Sequence, residues 1–108
     1  MTIAHCLSDS LQLLRDNGWQ QGYGQESRCI LQAVCKTALA ESSWTADNPA
    51  VPVFNFSCVA LARIVGRPIV ELVSWNDSPG RTWAEVEAVF QQAIASADIE
   101  QKRLDALA

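Results

Sequence analysis

The stretch Trp75-Asn76-Asp77-Ser78-Pro79-Gly80-Arg81-Thr82-Trp83-Ala84-Glu85-Val86 decides how the chain is read, because it holds both a turn and a helix start. Pro79-Gly80 predicts a tight turn, since proline presets φ at its turn position and glycine accepts a positive φ without steric cost. Thr82 and Glu85 predict a capping box: the hydroxyl covers an orphan N–H of the first turn while the carboxylate reaches back to the cap's own amide. A helix therefore starts at about Trp83. None of these residues names a reaction.

Upstream, Pro68 suits the first turn of a short helix in which Ile69, Leu72 and Val73 point inward and Trp75 ends the run. A strand over 69–75 is the competing reading, because short apolar runs are ambiguous by periodicity. Phe56, Val59, Ala60 and Ile64 share one helical face, with Cys58, Leu61 and Val65 beside it and Gly66 closing the segment. Before that helix, Ser42 to Pro52 reads as a loop. Asp47-Asn48-Pro49 and Val51-Pro52 break helical structure and bias Asn48 and Val51 toward extended backbone.

Nearer the start, Ile3, Leu7, Leu11 and Leu14 recur at helical spacing and predict a helix over 2–16 that Asn17-Gly18 stops. Gly18 to Gln25 is a connection pinned by Trp19 and Tyr23. From Glu26 to about Glu41, a broad face of Cys29, Ile30, Ala33, Val34, Thr37 and Ala38, widened by Leu31, Cys35 and Leu39, predicts a second helix at the centre of the fold. The last helix carries Trp83, Val86, Phe90, Ala93, Ile94 and Ala97. Ser96 and Asp98 mark a possible interruption, Lys102 and Arg103 suit a helix C-terminus, and a frayed tail from about residue 99 is the alternative. The expected architecture is all-α, a compact bundle of four to five helices forming a single domain over 1–108.

Composition supports a globule. With 49% apolar and 19% charged residues, the chain of 108 residues carries enough apolar surface to offset its ordering entropy. Its net charge of −4, with acids and bases mixed along both halves, is a poor match to nucleic acid, whose phosphates demand a concentrated basic face. No apolar run approaches the roughly 20 residues of a membrane span, and Met1 to His5 has no secretory signal character. The expected location is the cytoplasm, with reduced thiols at Cys6, Cys29, Cys35 and Cys58.

Candidate chemistry is sparse. Zinc sites use cysteine or histidine pairs two to four residues apart, a spacing absent here, so the cysteines read as small core hydrophobes and neither a metal nor another cofactor is expected. His5 and Cys6 are neighbours on a helix and point about 100° apart, which is the wrong geometry for a base and its nucleophile. Glu71, Asp77, Glu85 and Glu87 could in principle supply acid–base pairs, but caps and solvated helix faces account for most of them. No catalytic residue is assigned.

The binding candidates are Trp75, Asn76, Asp77 and Arg81, which offer an aromatic face, an amide, an acid and a guanidinium from one loop. Arg63 and Arg67, one turn apart, can join Arg81 around an anion or a partner's carboxylate. The opposing reading gives Asp77 to its own turn and the arginines to solvated helix ends. Trp19, Tyr23 and Trp44 lie in connections, where exposed aromatic rings would mark a binding surface and covered ones would roof the core.

Three blocks carry a likeness: Asn17-Gly18-Trp19 with Gln21-Gly22, Cys29-Ile30-Leu31-Gln32-Ala33, and Trp75 to Thr82 with Glu85-Val86. Through them the chain resembles, over about Leu7 to Ala93, an uncharacterised family of small bacterial and phage proteins. The resemblance implies a compact helical fold and no known catalytic residue. The expected role is an accessory or regulatory protein that binds another protein, including a second copy of itself through the apolar last helix. The alternatives are a small-molecule or anion pocket built from Asp77, Arg81 and Arg63, and a phage-related antagonist of bacterial defence, the latter suggested by the family's distribution.

Overall fold

A computed structural model describes residues 1–22, 29–40 and 42–107, and all regular structure among them is helical. The elements are α1 (Ile3–Asn17), α2 (Ile30–Leu39), α3 (Ala50–Val65), a 3-10 turn (Ile69–Glu71), α4 (Leu72–Asp77), α5 (Trp83–Ala95) and α6 (Asp98–Asp105). Among the described residues six α-helices stand where four or five were expected.

Gly18 stops α1 as read, while Thr2 caps the helix instead of starting it. Thr2 Oγ1 accepts from His5 N at 3.1 Å, and the Gly18 N–H, at φ 83, donates to Leu14 O at 2.8 Å. At the Ser78-Pro79-Gly80-Arg81 turn, Arg81 N donates to Ser78 O at 3.1 Å while Gly80 takes φ 81, a conformation that an L side chain would strain. The capping box follows directly. Glu85 N donates to Thr82 Oγ1 at 3.2 Å, and Thr82 N donates to Glu85 Oε1 at 3.0 Å.

Several boundaries differ from expectation, each for a physical reason. Helix α2 begins at Ile30, because Cys29 is extended and its sulfur accepts from Gln32 N at 3.3 Å in a capping box. The part of that expected helix before Cys29, its last residue Glu41, and Tyr23 all lie outside the described residues. Helix α3 begins at Ala50, not near Phe56, so Val51 and Pro52 are helical. Pro52 sits in the first turn, where its missing N–H has no intrahelical partner to lose. The 69–75 segment is helical, yet Ile69 is exposed, because the 3-10 turn carries it away from the body before α4 begins. Helix α4 runs past Trp75 to Asp77. Ser96 does interrupt the last helix: its hydroxyl and amide both donate to Gln92 O. The tail beyond residue 99 is helical and docked through Asp105 instead of frayed.

Helix α1 packs against α2, α3, α5 and α6, while α3 packs against α1, α2, α5 and α6, so these two form the centre. The expectation of a central α2 fails because α2 spans only ten residues and one flank of it faces solvent. The core joins Ile3, Leu7, Leu14, Ile30, Leu61, Leu72, Val86 and Phe90, all fully buried. Each large side chain contributes about 1.5–3 kcal/mol by leaving water. On α3 the inward line is Val53, Ser57, Ala60 and Leu61, with Phe56 and Val59 at its flanks. Among the described residues no helix is long and apolar enough to cross a membrane.

Candidate functional site

The Trp75–Asp77 segment is occupied by internal bonding. Asn76 is fully buried at the end of α4, and its Oδ1 accepts from Trp19 Nε1 at 2.7 Å and from Ile30 N, the first amide of α2, at 3.3 Å. Its Nδ2 donates to Gln20 O at 3.3 Å and to Asp77 Oδ1 at 2.9 Å. Asp77 Oδ1 also accepts from Gly22 N at 2.8 Å, and Gln21 Nε2 donates to Asn76 O and Ser78 O. One amide side chain thereby ties α4, the connection after α1 and the start of α2 together. Trp19 is held half-buried by this bond.

Arg81 is spent locally as well. Its guanidinium lies over the Trp75 ring at 4.0 Å, its Nε donates to Trp75 O at 2.9 Å, and its Nη1 pairs with Glu85 Oε2 at 2.8 Å. The Glu85 carboxyl is held below the usual range, first by the Thr82 amide and then by the Arg81 guanidinium. Arg63 instead reaches α6, where its Nε and Nη2 donate to Glu100 Oε1 at 3.0 and 2.7 Å and its Nη2 to Ser96 Oγ at 2.9 Å. Arg67 is exposed near Arg63, and both line a shallow depression with Arg103. Asp77 lines a different hollow, beside Gly22 and Cys29. The structure thus brings together Trp75, Asn76, Asp77 and Arg81 as one bonded turn, and Arg63 with Arg67 at another place.

The thiols are buried or half-buried and free of disulfides. Burial pushes all four upward in pKa, Cys58 to about 12, which suppresses thiolate character at neutral pH. His5 is exposed and 3.9 Å from Asp9, while Cys6 is buried, so the two diverge as helical geometry requires. Among the described residues no cluster of His, Cys, Asp and Glu could hold a metal ion.

The surface that best fits recognition lies between α2 and α3. Trp44 is 60% exposed, and its ring stands edge-on to Phe54 with centroids 5.0 Å apart and planes at 90°. With Leu31, Cys35, Ala40 and Lys36 the pair lines an open, largely apolar groove of about 640 Å³. The loop carrying Trp44 is braced by Asn48, whose Nδ2 donates to Ser43 O at 2.6 Å and whose Oδ1 accepts from Ala50 N at 3.0 Å. Trp44 is therefore presented on an organised turn. The chain enters this turn through Ala40 at φ 49, a conformation that residues other than glycine rarely adopt. Phe54 and Leu31 were not among the sequence candidates. Phe54 follows core residue Val53 by one position and so lies at the flank of the α3 core line, partly buried against the core, a placement visible only once the helix start is known.

Fold and surface together define a small helical protein in which Asn76, Asp77 and Arg81 are spent on holding its shape and the exposed Trp44 lines a groove. Residues 1–96 match the family of unknown function DUF6197, and the chain belongs to that family. No curated protein and no solved structure matches the chain.

Proposed function

We propose that the chain is an accessory protein that binds another protein at the Trp44–Phe54 groove. The observation that carries this reading is a tryptophan 60% exposed on a braced loop beside an apolar groove. Tryptophan is enriched at the energetic centres of protein interfaces, because its large rigid ring buries much apolar area at little entropic cost. The groove falls within the about 300–1,000 Å³ typical of ligand pockets. It is open along its length, so a row of side chains from a helix or strand fills it better than an enclosed small molecule.

Self-pairing through the last helix is less favoured. Val86, Phe90 and Ala93 of α5 face the chain's own core, and Glu100 of α6 is committed to Arg63. The reading places the protein in the cytoplasm of a bacterial or phage-infected cell, where its four free thiols stay reduced.

The test is quantitative capture from a lysate of the source organism by the wild-type chain and by Trp44→Ala. The captured protein is then purified and its binding measured in solution. Loss of that binding in Trp44→Ala, together with protection of Cys35 from alkylation in the complex, supports the proposal. A purified partner that binds Trp44→Ala as tightly as wild type, or leaves Cys35 equally reactive, overturns it.

A further inference from the structure

The C-terminal end of α3, the 3-10 turn and α6 surround a second shallow depression, of about 490 Å³. Its floor is apolar, from Val59 and Ala62, and three guanidinium groups line it, from Arg63, Arg67 and Arg103. Arg63 is anchored: Glu100 and Ser96 hold its Nε and Nη2, and its Nη1 donates to no described residue. Arg67, in the turn after α3, and Arg103, on α6, form no ion pair or side-chain hydrogen bond with any described residue. Ile69 edges the depression, and Val70, 86% exposed, follows it.

Glu100 already neutralises Arg63, so Arg67 and Arg103 carry the uncompensated charge at this hollow, and on a chain of net charge −4 such a spot is a local reversal of sign. Guanidinium groups pair with carboxylates through parallel hydrogen bonds, so a fixed Arg63 beside two free arginines is suited to acidic side chains. A long polyanion fits less well: Glu71 closes the 3-10 turn that contributes Ile69, and the basic residues lining the hollow are the three arginines alone. Glu100 and Arg103 also lie beyond the residues matched to the family.

We propose that this depression docks an acidic segment of a partner protein. Arg67 and Arg103 take its carboxylates, while Val59 and Ile69 receive an adjoining apolar side chain. The surface is separate from the Trp44 groove and its test does not depend on that reading.

The experiment is fluorescence anisotropy with a short fluorescein-labelled peptide alternating glutamate and leucine. A lysine–leucine peptide and a labelled oligothymidylate serve as controls. Expected are saturable binding of the acidic peptide, weakening with salt, and a loss of about tenfold or more in Arg67→Glu/Arg103→Glu. The milder Arg67→Gln/Arg103→Gln is expected to fall between that variant and wild type, and Trp44→Ala to bind as wild type. Both arginines are exposed, so circular dichroism of the variants should match the parent. The proposal is overturned if the acidic peptide does not bind, if the lysine peptide binds equally, or if the arginine variants bind undiminished. Tighter binding of oligothymidylate than of the peptide also overturns it, assigning the surface to nucleic acid.

Discussion

The indole Nε1 of Trp19 donates to Asn76 Oδ1 across 2.7 Å, joining the connection after α1 to a helix end 57 residues further along the chain. The same oxygen takes the first amide of α2, so a single buried side chain serves as a junction for three segments. Removing it would leave the Trp19 indole and the Ile30 amide without their acceptor, a cost set by desolvation rather than by the net worth of the bonds.

Asn76→Ala is accordingly expected to lower stability by about 2–3 kcal/mol. Urea unfolding followed by tryptophan fluorescence measures it, and a loss under about 0.5 kcal/mol, the range of an ordinary surface substitution, would contradict the junction.

The Thr82–Glu85 capping box carries a pH signature. The Glu85 carboxyl is lowered in the folded state by the Thr82 amide and Arg81. Its contribution is therefore present above the ordinary carboxylate range and fades as pH falls through the lowered folded value. Glu85→Gln should melt below wild type near neutral pH, with the gap closing in acid. A gap that stays constant or widens in acid would place the effect elsewhere.

Glu100 is 0% exposed and its partner Arg63 is 33% exposed. Arg63→Ala strands a buried carboxylate and is expected to cost about 2–3 kcal/mol, less than fully buried pairs lose because the guanidinium is partly wet. Arg63→Leu/Glu100→Leu should recover much of that loss. A double-mutant cycle decides the matter, and a coupling near zero would show that the pair contributes nothing.

Thiol reactivity should follow burial. Half-buried Cys35 is expected to alkylate first in the native protein, with Cys6 and Cys58 modified only on unfolding, since Cys58 sits at about 12 and both are sealed in the core. Mass spectrometry after timed iodoacetamide treatment reads the order. Native modification of Cys58 ahead of Cys35 would be the contrary result.

Where the residues interact within a few positions, the prediction and the structure agree. Gly18 closes α1, and Pro79-Gly80 with Thr82 and Glu85 set the turn and the start of α5, because each involves partners three or four positions apart. The α3 start departs from expectation on the same local scale. Pro49 and Pro52 look like breakers, and only the actual helix start reveals that both fall where proline does no harm.

The binding residues show the other side. Asn76 and Asp77 attract attention as polar groups in a conspicuous block, but their partners include Trp19, Gly22 and Ile30, which no local spacing points to. The bond from Arg63 of α3 to Glu100 of α6 likewise joins residues 37 positions apart.

The amino-acid order alone determined that the chain is helical, where most helices end, and that its core is built from Ile3, Leu7, Leu14, Ile30, Leu61 and Phe90, since apolar spacing and capping are encoded within a turn or two of chain. Only the tertiary structure decided which helices are central, that Asn76 is a buried junction, and that Trp44 stands exposed over a groove. Those outcomes depend on which distant segments meet, and burial is a property of that meeting rather than of any residue's neighbours in sequence.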